Sequence, residues 1–123
     1  TIIAGTDAGF LNAFNYPGIG LHQELRLFVR EGLTPPQALA AATRAGPAWF
    51  GQMDRYGSVE AGKAADLVLL DADPLQDISA TESINTVVLR GKVHDRTALD
   101  AMLQQVRSKV KAWDAAQGDA RVD

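Results

Sequence analysis

The stretch TIIAGTDAGF, residues 1–10, decides how the rest of the chain is read. Ile2, Ile3 and Ala4 form an apolar run of the kind that makes a short buried strand. The run meets Gly5 and Thr6, then a single acid, Asp7, then Ala8 and Gly9. A lone carboxylate between glycines just past a strand has two readings. It can close a turn, because an Asp side chain bonds readily to its own backbone two residues on. It can instead stand at the mouth of an α/β barrel, where a rigid strand delivers a catalytic group to an open loop. Flanking glycines then let substrate or metal approach the backbone closely. The local pattern by itself favours the turn.

Outward from Asp7, residues 5–20 form a glycine-rich loop containing Tyr16-Pro17-Gly18. Leu21, Leu25, Phe28 and Val29 then recur at helical spacing over 21–31, with Glu24, Arg26 and Arg30 on other faces and Gly32 placed to end the helix. Thr34-Pro35-Pro36-Gln37 fits a capping box, with proline in the first turn where its missing N–H costs nothing. The run Ala38 to Ala42 is small-sided except for Leu39 and allows close packing. Gly46-Pro47 is expected to interrupt that helix, with one further turn over 48–50 before Gly51.

After Met53 the character changes. Residues 56–63 are turn-rich, and 65–70 form a continuous apolar run with β propensity, broken only by Asp66. A polar loop over 71–77 leads to a second predicted strand over 84–89, which ends at Arg90-Gly91-Lys92. Two or three strands alone are marginal in water and need something to pack on. Residues 97–113 read as an amphipathic helix with Leu99, Met102, Leu103, Val106, Val110 and Trp113 on one stripe. Its capping pattern spans 97–100, and the tail 115–123 reads as frayed. There is no internal repeat.

At 123 residues the chain is long enough for one modest domain. Its hydrophobic content of 46% is that of a globular protein and not of a disordered one. A net charge of −3 argues against nucleic acid or an anionic membrane as a partner, since both need clustered Lys and Arg. No apolar run approaches the roughly 18 residues of a membrane span. The lack of cysteine excludes disulfides and thiolate catalysis and leaves the compartment unassigned. An apolar run at residue 2, with no initiator Met, reads as the middle of something cut, so the expectation is a C-terminal fragment of a longer protein.

His22 and His94 are the only histidines. A metal centre needs three or four suitable ligands, so this chain cannot complete one from histidines. His94 reads as a solvated turn residue after a strand, and His22 as a polar residue opening a helix. Acids at 71, 73, 77 and 82 superficially match a calcium loop, but Gln76 stands where its sharp turn needs glycine and Pro74 stiffens the backbone. These acids are expected to cap turns instead. Lys63 and Asp66 read as a solvated turn with a local hydrogen bond. There is no nucleophile elbow and no phosphate-cradling loop.

Five blocks occur in order: Gly5-Thr6-Asp7-Ala8-Gly9, His22-Gln23-Glu24-Leu25, Gly32-Leu33-Thr34-Pro35, Ala40-Ala41-Ala42-Thr43, and the run from Gly57 to Leu67. The series resembles the C-terminal third of metal-dependent amidohydrolases, most strongly their imidazolonepropionase-like and Xaa-Pro-dipeptidase-like branch. The resemblance covers roughly residues 1–95. It implies an α/β fold that is the C-terminal fragment of a TIM-like (β/α)8 barrel, meaning the last strand and following helices, plus part of a small composite β-sandwich and a C-terminal helix. Residues 1–53 would end the barrel, 54–95 would belong to the β-sandwich, and 96–123 would be the C-terminal helix and tail.

The resemblance also implies a chemistry. Asp7 matches the acid after the eighth barrel strand, which ligates metal or bonds the bridging hydroxide and shuttles its proton. His22 matches a frequent histidine of the following helix and is carried over as a substrate-side residue. The implied reaction is hydrolysis of a C–N bond in a small amide, cyclic amide or dipeptide by a metal-activated hydroxide. The implied cofactor is a divalent metal, zinc first, in the full-length enzyme, and this chain alone completes no such site. The family's HxH pair, its metal-bridging Lys or Glu and two further histidines are missing here.

A whole barrel takes about 250 residues, so the isolated chain is expected to be inactive. Two other readings stay open. The chain could be a non-catalytic α/β interaction module that uses its C-terminal helix, or a fragment that forms a homo-oligomer to cover an exposed barrel face.

Overall fold

The computed structural model describes residues 1–8 and 17–119. Most of the glycine-rich loop, residues 9–16, and the last four residues lie outside that set.

Residues 1–8 contain no strand, contrary to the expectation for residues 1–4. A strand needs a neighbour to complete its ladder, and here the backbone donors go to helices instead. The Ala4 N–H donates to the Ala41 carbonyl at 3.1 Å, and the Gly5 N–H donates to Glu24 Oε1 at 2.9 Å. Ile2 and Ile3 stay exposed.

Helix α1, Ile19–Arg30, follows Gly18. Of its apolar stripe, Leu25 is buried and Leu21, Phe28 and Val29 are half-buried. The Leu33 N–H reaches back to the Phe28 carbonyl at 2.9 Å and the Gly32 N–H to Val29 at 3.1 Å. This double bond is a Schellman closure, and Gly32 at φ 109° is the residue that permits it.

Helix α2, Pro35–Thr43, starts as its sequence dictates. The Thr34 N–H donates to Gln37 Oε1 at 2.8 Å, and the Thr34 hydroxyl donates to the same oxygen at 3.0 Å. Ala38 and Ala41 are buried where the small-sided run faces its neighbours. The chain breaks at Arg44 and not at Gly46-Pro47, because α3, Ala45–Trp49, takes both residues into its first turn. Proline is tolerated there for the reason it is tolerated at the start of α2.

The second half builds an antiparallel sheet in the order β1-β2-β3, from Leu67–Leu70, Ile84–Leu89 and Lys92–His94. Leu67 pairs with Val88, and a bulge between Leu69 and Leu70 shifts the register so that Leu70 meets Ile84. Leu89 pairs with Lys92 across a two-residue turn. Both turn residues, Arg90 and Gly91, have positive φ, as a tight hairpin requires. Asp66 Oδ1 accepts the Arg90 N–H at 2.6 Å and anchors that turn. His94 corrects its expectation: it is the last residue of β3, half-buried and paired with Val87, not a turn residue.

A short 3-10 helix, Ile78–Glu82, separates β1 from β2 and carries the fold's long-range packing. Ile78 joins Leu25 of α1 and Ala38 of α2 in one core cluster, with Phe28, Val29, Leu39 and Ala42 packed around it. The first and second halves of the chain therefore share a core.

Helix α4, Arg96–Asp119, is longer than expected. It is capped by Asp95, whose Oδ1 accepts the Ala98 N–H at 2.8 Å, and not by the pattern over 97–100. Asp100 instead pairs with Arg96 at 2.9 Å, and Arg96 Nη1 donates to the Ile84 carbonyl at 2.8 Å, fastening the helix to β2. Beyond that first turn the helix lies in solvent. Met102, Leu103, Val106, Val110 and Trp113 are all exposed.

Candidate active site after the N-terminal segment

Asp7 is the first of the site residues expected from the sequence. It is exposed, and its φ of 49° puts it in the left-handed region. A non-glycine residue there costs roughly 1–2 kcal/mol, although Asp tolerates it better than most. The turn reading required the side chain to be satisfied locally. No hydrogen bond joins its carboxylate to a described residue, so among those residues nothing satisfies it locally.

Glu24 holds that segment in place. Sequence periodicity puts Glu24 and Arg26 merely off the apolar face, and both prove to carry long-range bonds. Glu24 Oε1 grips the Gly5 N–H, while Arg26 forms an ion pair with Glu82 of the 3-10 helix. One helical turn before Arg26 on the same face, His22 Nδ1 lies 3.1 Å from Thr81 Oγ1. The 3-10 helix thus clamps α1 at two adjacent positions, with Leu25 and Ile78 buried beside them. No hydrogen bond joins Asp7 to His22. They are related through α1, which carries His22 and holds the backbone before Asp7.

Thr81 does not stand out in the sequence, and no local pattern could have found it. Its long-range contact is with a residue 59 positions away in the chain. The polar loop around it behaves as expected. Asp73 Oδ1 accepts the Leu75 N–H at 2.9 Å, and Asp77 accepts both the Ser79 N–H and its hydroxyl, at 2.9 and 2.7 Å. The two Ser79 bonds, the hydroxyl's first, hold the Asp77 carboxyl below its ordinary range. Lys63 likewise makes local contacts, donating to Ser58 Oγ at 2.5 Å and lying 3.5 Å from Glu60. The Ser58 hydrogen bond and then the Lys63 charge lower the Glu60 carboxyl. Neither acid belongs to the Asp7 region.

The described residues contain no group of three or more His, Cys, Asp or Glu that could hold a metal ion. As an exposed carboxylate, Asp7 has the chemistry of an oxygen donor for a divalent cation, as the other exposed acids do. A groove of about 570 Å³ beside α2 is lined by Ile2, Leu33, Gln37, Ala41 and Arg44 among others, but by neither Asp7 nor His22. No Asp, Glu, His or Lys side chain lines it.

The sequence profile of the Amidohydrolase family matches residues 1–94. The chain belongs to that family. It is 34% identical over 97 residues to a 5'-deoxyadenosine deaminase of Methanobrevibacter smithii, a match covering 76% of this chain and 22% of that protein. It is 41% identical over 64 residues to an imidazolonepropionase of Shouchella clausii, covering 50% of this chain and 14% of that protein. Among solved structures, a Xaa-Pro dipeptidase with methionine bound in its active site superposes with a TM-score of 0.57 at 30% identity. That superposition covers 60% of this chain and 18% of the dipeptidase. The chain thus spans about a fifth of the length of the relatives it matches. Asp7, His22, Glu24 and Thr81 all lie within the amidohydrolase match. No helix among the described residues is long and apolar enough to cross a membrane.

Proposed function

We propose that this chain is the C-terminal part of an amidohydrolase that hydrolyses a C–N bond in a small molecule, with Asp7 as its proton-handling carboxylate. One observation carries the reading. Within the family match, an exposed carboxylate with no hydrogen bond to a described residue sits on a left-handed residue, at the end of a segment that Glu24 holds in place. Residues 1–53 then end a barrel, 54–95 contribute to a β-sandwich, and 96–123 form the C-terminal helix and tail. The relatives' names point to the substrate class: an aminopurine nucleoside, a cyclic imidazolone or a dipeptide ending in proline.

Amidohydrolases generally use a divalent metal, and Asp7 would contribute one oxygen to it, with the other donors lying beyond these residues. Such a metal, zinc by this reading, supplies the acidity that brings bound water's pKa down to about 7. The chain's own part is the proton. As water attacks the substrate carbon, a C–O bond forms and the Asp7 carboxylate takes the proton released. As the C–N bond breaks, Asp7 returns that proton to the departing nitrogen, which leaves as a neutral amine or ammonia. The carboxylate is regenerated with atoms and charge balanced. His22 lies on the substrate side in this scheme.

The test is Asp7→Asn in the full-length enzyme, assayed on a deoxyadenosine, an imidazolone and an Xaa-Pro dipeptide. Loss of about 10²–10⁴ in kcat with the fold intact is the expected result. Activity within a few-fold of the parent sinks the proposal. The second reading, an interaction module, draws on the exposed stripe of α4. It predicts that Asp7→Asn changes nothing while Val106→Asp abolishes binding to a partner.

A further inference from the structure

Thr81 is the buried polar residue of the described core, 7% exposed, and its hydroxyl has two neighbours. It donates to the Ile78 carbonyl at 2.9 Å and lies 3.1 Å from His22 Nδ1. A hydroxyl owns one proton and two lone pairs. With the proton given to Ile78, only a lone pair faces the imidazole, so Nδ1 must be the donor. A neutral imidazole carries one N–H, so Nε2 is then bare.

The ring is also held in place. One turn on, Arg26 pairs with Glu82, the residue after Thr81. Between these contacts Leu25 packs on Ile78, whose carbonyl takes the Thr81 proton. Helix rotation that would break the His22 contact must also break the ion pair and open the core.

We propose that Thr81 is a positioning residue that fixes His22 as the Nδ1–H tautomer and leaves Nε2 as a lone-pair acceptor for an N–H or O–H donor of the substrate. The functional half rests on the reading of His22 as a substrate-side residue, whereas the tautomer stands on the contacts alone. On this view residues after the change of character near Met53 reach back to set a side chain on the helix that follows Asp7. A histidine held in the opposite tautomer would present Nε2–H and select a substrate acceptor instead.

Long-range ¹⁵N–¹H correlation spectra of the full chain, labelled in histidine and recorded where the rings carry one proton, read the tautomer directly. His94 is the other histidine, so two ring systems appear. His22 is expected to show a pyrrole-type Nδ1 and a pyridine-type Nε2. Thr81→Ser should retain that pattern and Thr81→Val should lose it. A pyrrole-type Nε2 in the unmodified chain overturns the proposal, and that spectrum decides the matter even if Thr81→Val does not fold. In the full-length enzyme, Thr81→Val is expected to raise KM about tenfold, the worth of one hydrogen bond, with Thr81→Ser restoring it. If His22 shows the Nδ1–H pattern while His22→Gln leaves KM unchanged, the substrate-side reading fails and the tautomer assignment stands.

Discussion

Glu24 Oε1 accepts the Gly5 N–H at 2.9 Å, so α1 grips the chain two residues before Asp7. The other oxygen of the same carboxylate, Oε2, is buried and has no hydrogen-bond partner among the described residues. One oxygen of Glu24 is thus committed to the backbone that presents Asp7, and the other is buried with no partner among the described residues. Such an arrangement is retained where position matters more than stability.

Glu24→Ala is therefore expected to release the Gly5 amide, raising its hydrogen-exchange rate and lowering stability by about 1 kcal/mol. Glu24→Gln keeps an oxygen for Gly5 and should leave both readouts near the parent. Equal exchange rates at Gly5 in the parent and in Glu24→Ala would rule out the tether.

The shared core makes a sharper demand. Leu25, 3% exposed, touches the cluster containing Ala38 and Ile78 and so couples all three segments. Leu25→Ala should cost about 3 kcal/mol, through lost transfer energy and a cavity the helices cannot close. Leu75, 52% exposed, is the control, and its Ala variant should fall within about 0.5 kcal/mol of the parent. Urea denaturation midpoints distinguish the two.

The features that the amino-acid sequence makes legible are the local ones. Thr34 to Gln37 announces a helix start because the capping box is a local motif, and Leu25 with Phe28 and Val29 marks a buried face because the helical period is local too. The strand over 84–89 is legible for the same reason. What escapes a reading of the sequence depends on distant partners. Ile2 and Ile3 have strand propensity but pair with no strand among the described residues, and their segment hydrogen-bonds to helices instead. Asp95 caps α4 ahead of the expected pattern, since that choice is made by chain geometry at the end of β3. At the site, Asp7 is visible as an acid between glycines. The roles of Glu24 and Thr81 are not visible, because their partners lie 19 and 59 residues away.

The β2–β3 hairpin gives a test of backbone strain. Arg90 is held at φ 51° and Gly91 at φ 78°. The first is unfavourable for a long side chain and easier for Asn. Arg90→Asn should raise stability by about 0.5–1 kcal/mol, since the Asp66 bond goes to the backbone N–H and survives. No atom lies within 4 Å of a Cβ built on Gly91, so Gly91→Ala should lose about 1 kcal/mol from backbone conformation alone. A stabilising Gly91→Ala would contradict the assigned turn.

Asp77 ties the loop before the 3-10 helix to pH. Its carboxylate accepts from the Ser79 hydroxyl and the Ser79 N–H, and both bonds favour the charged form. Its folded pKa therefore lies below the ordinary value of 3.8 that it regains on unfolding. A group depressed in the fold stabilises above the unfolded value and loses that contribution as pH falls through the folded one. Ser79→Ala removes the hydroxyl bond, the larger of the two causes, and keeps the backbone bond. The variant should be less stable than the parent at neutral pH, and the gap should narrow as pH drops below the ordinary Asp value. Urea midpoints of both proteins from neutral pH downward measure it. A gap that stays constant or widens toward acid would mean that the Ser79 hydroxyl does not favour the charged carboxylate.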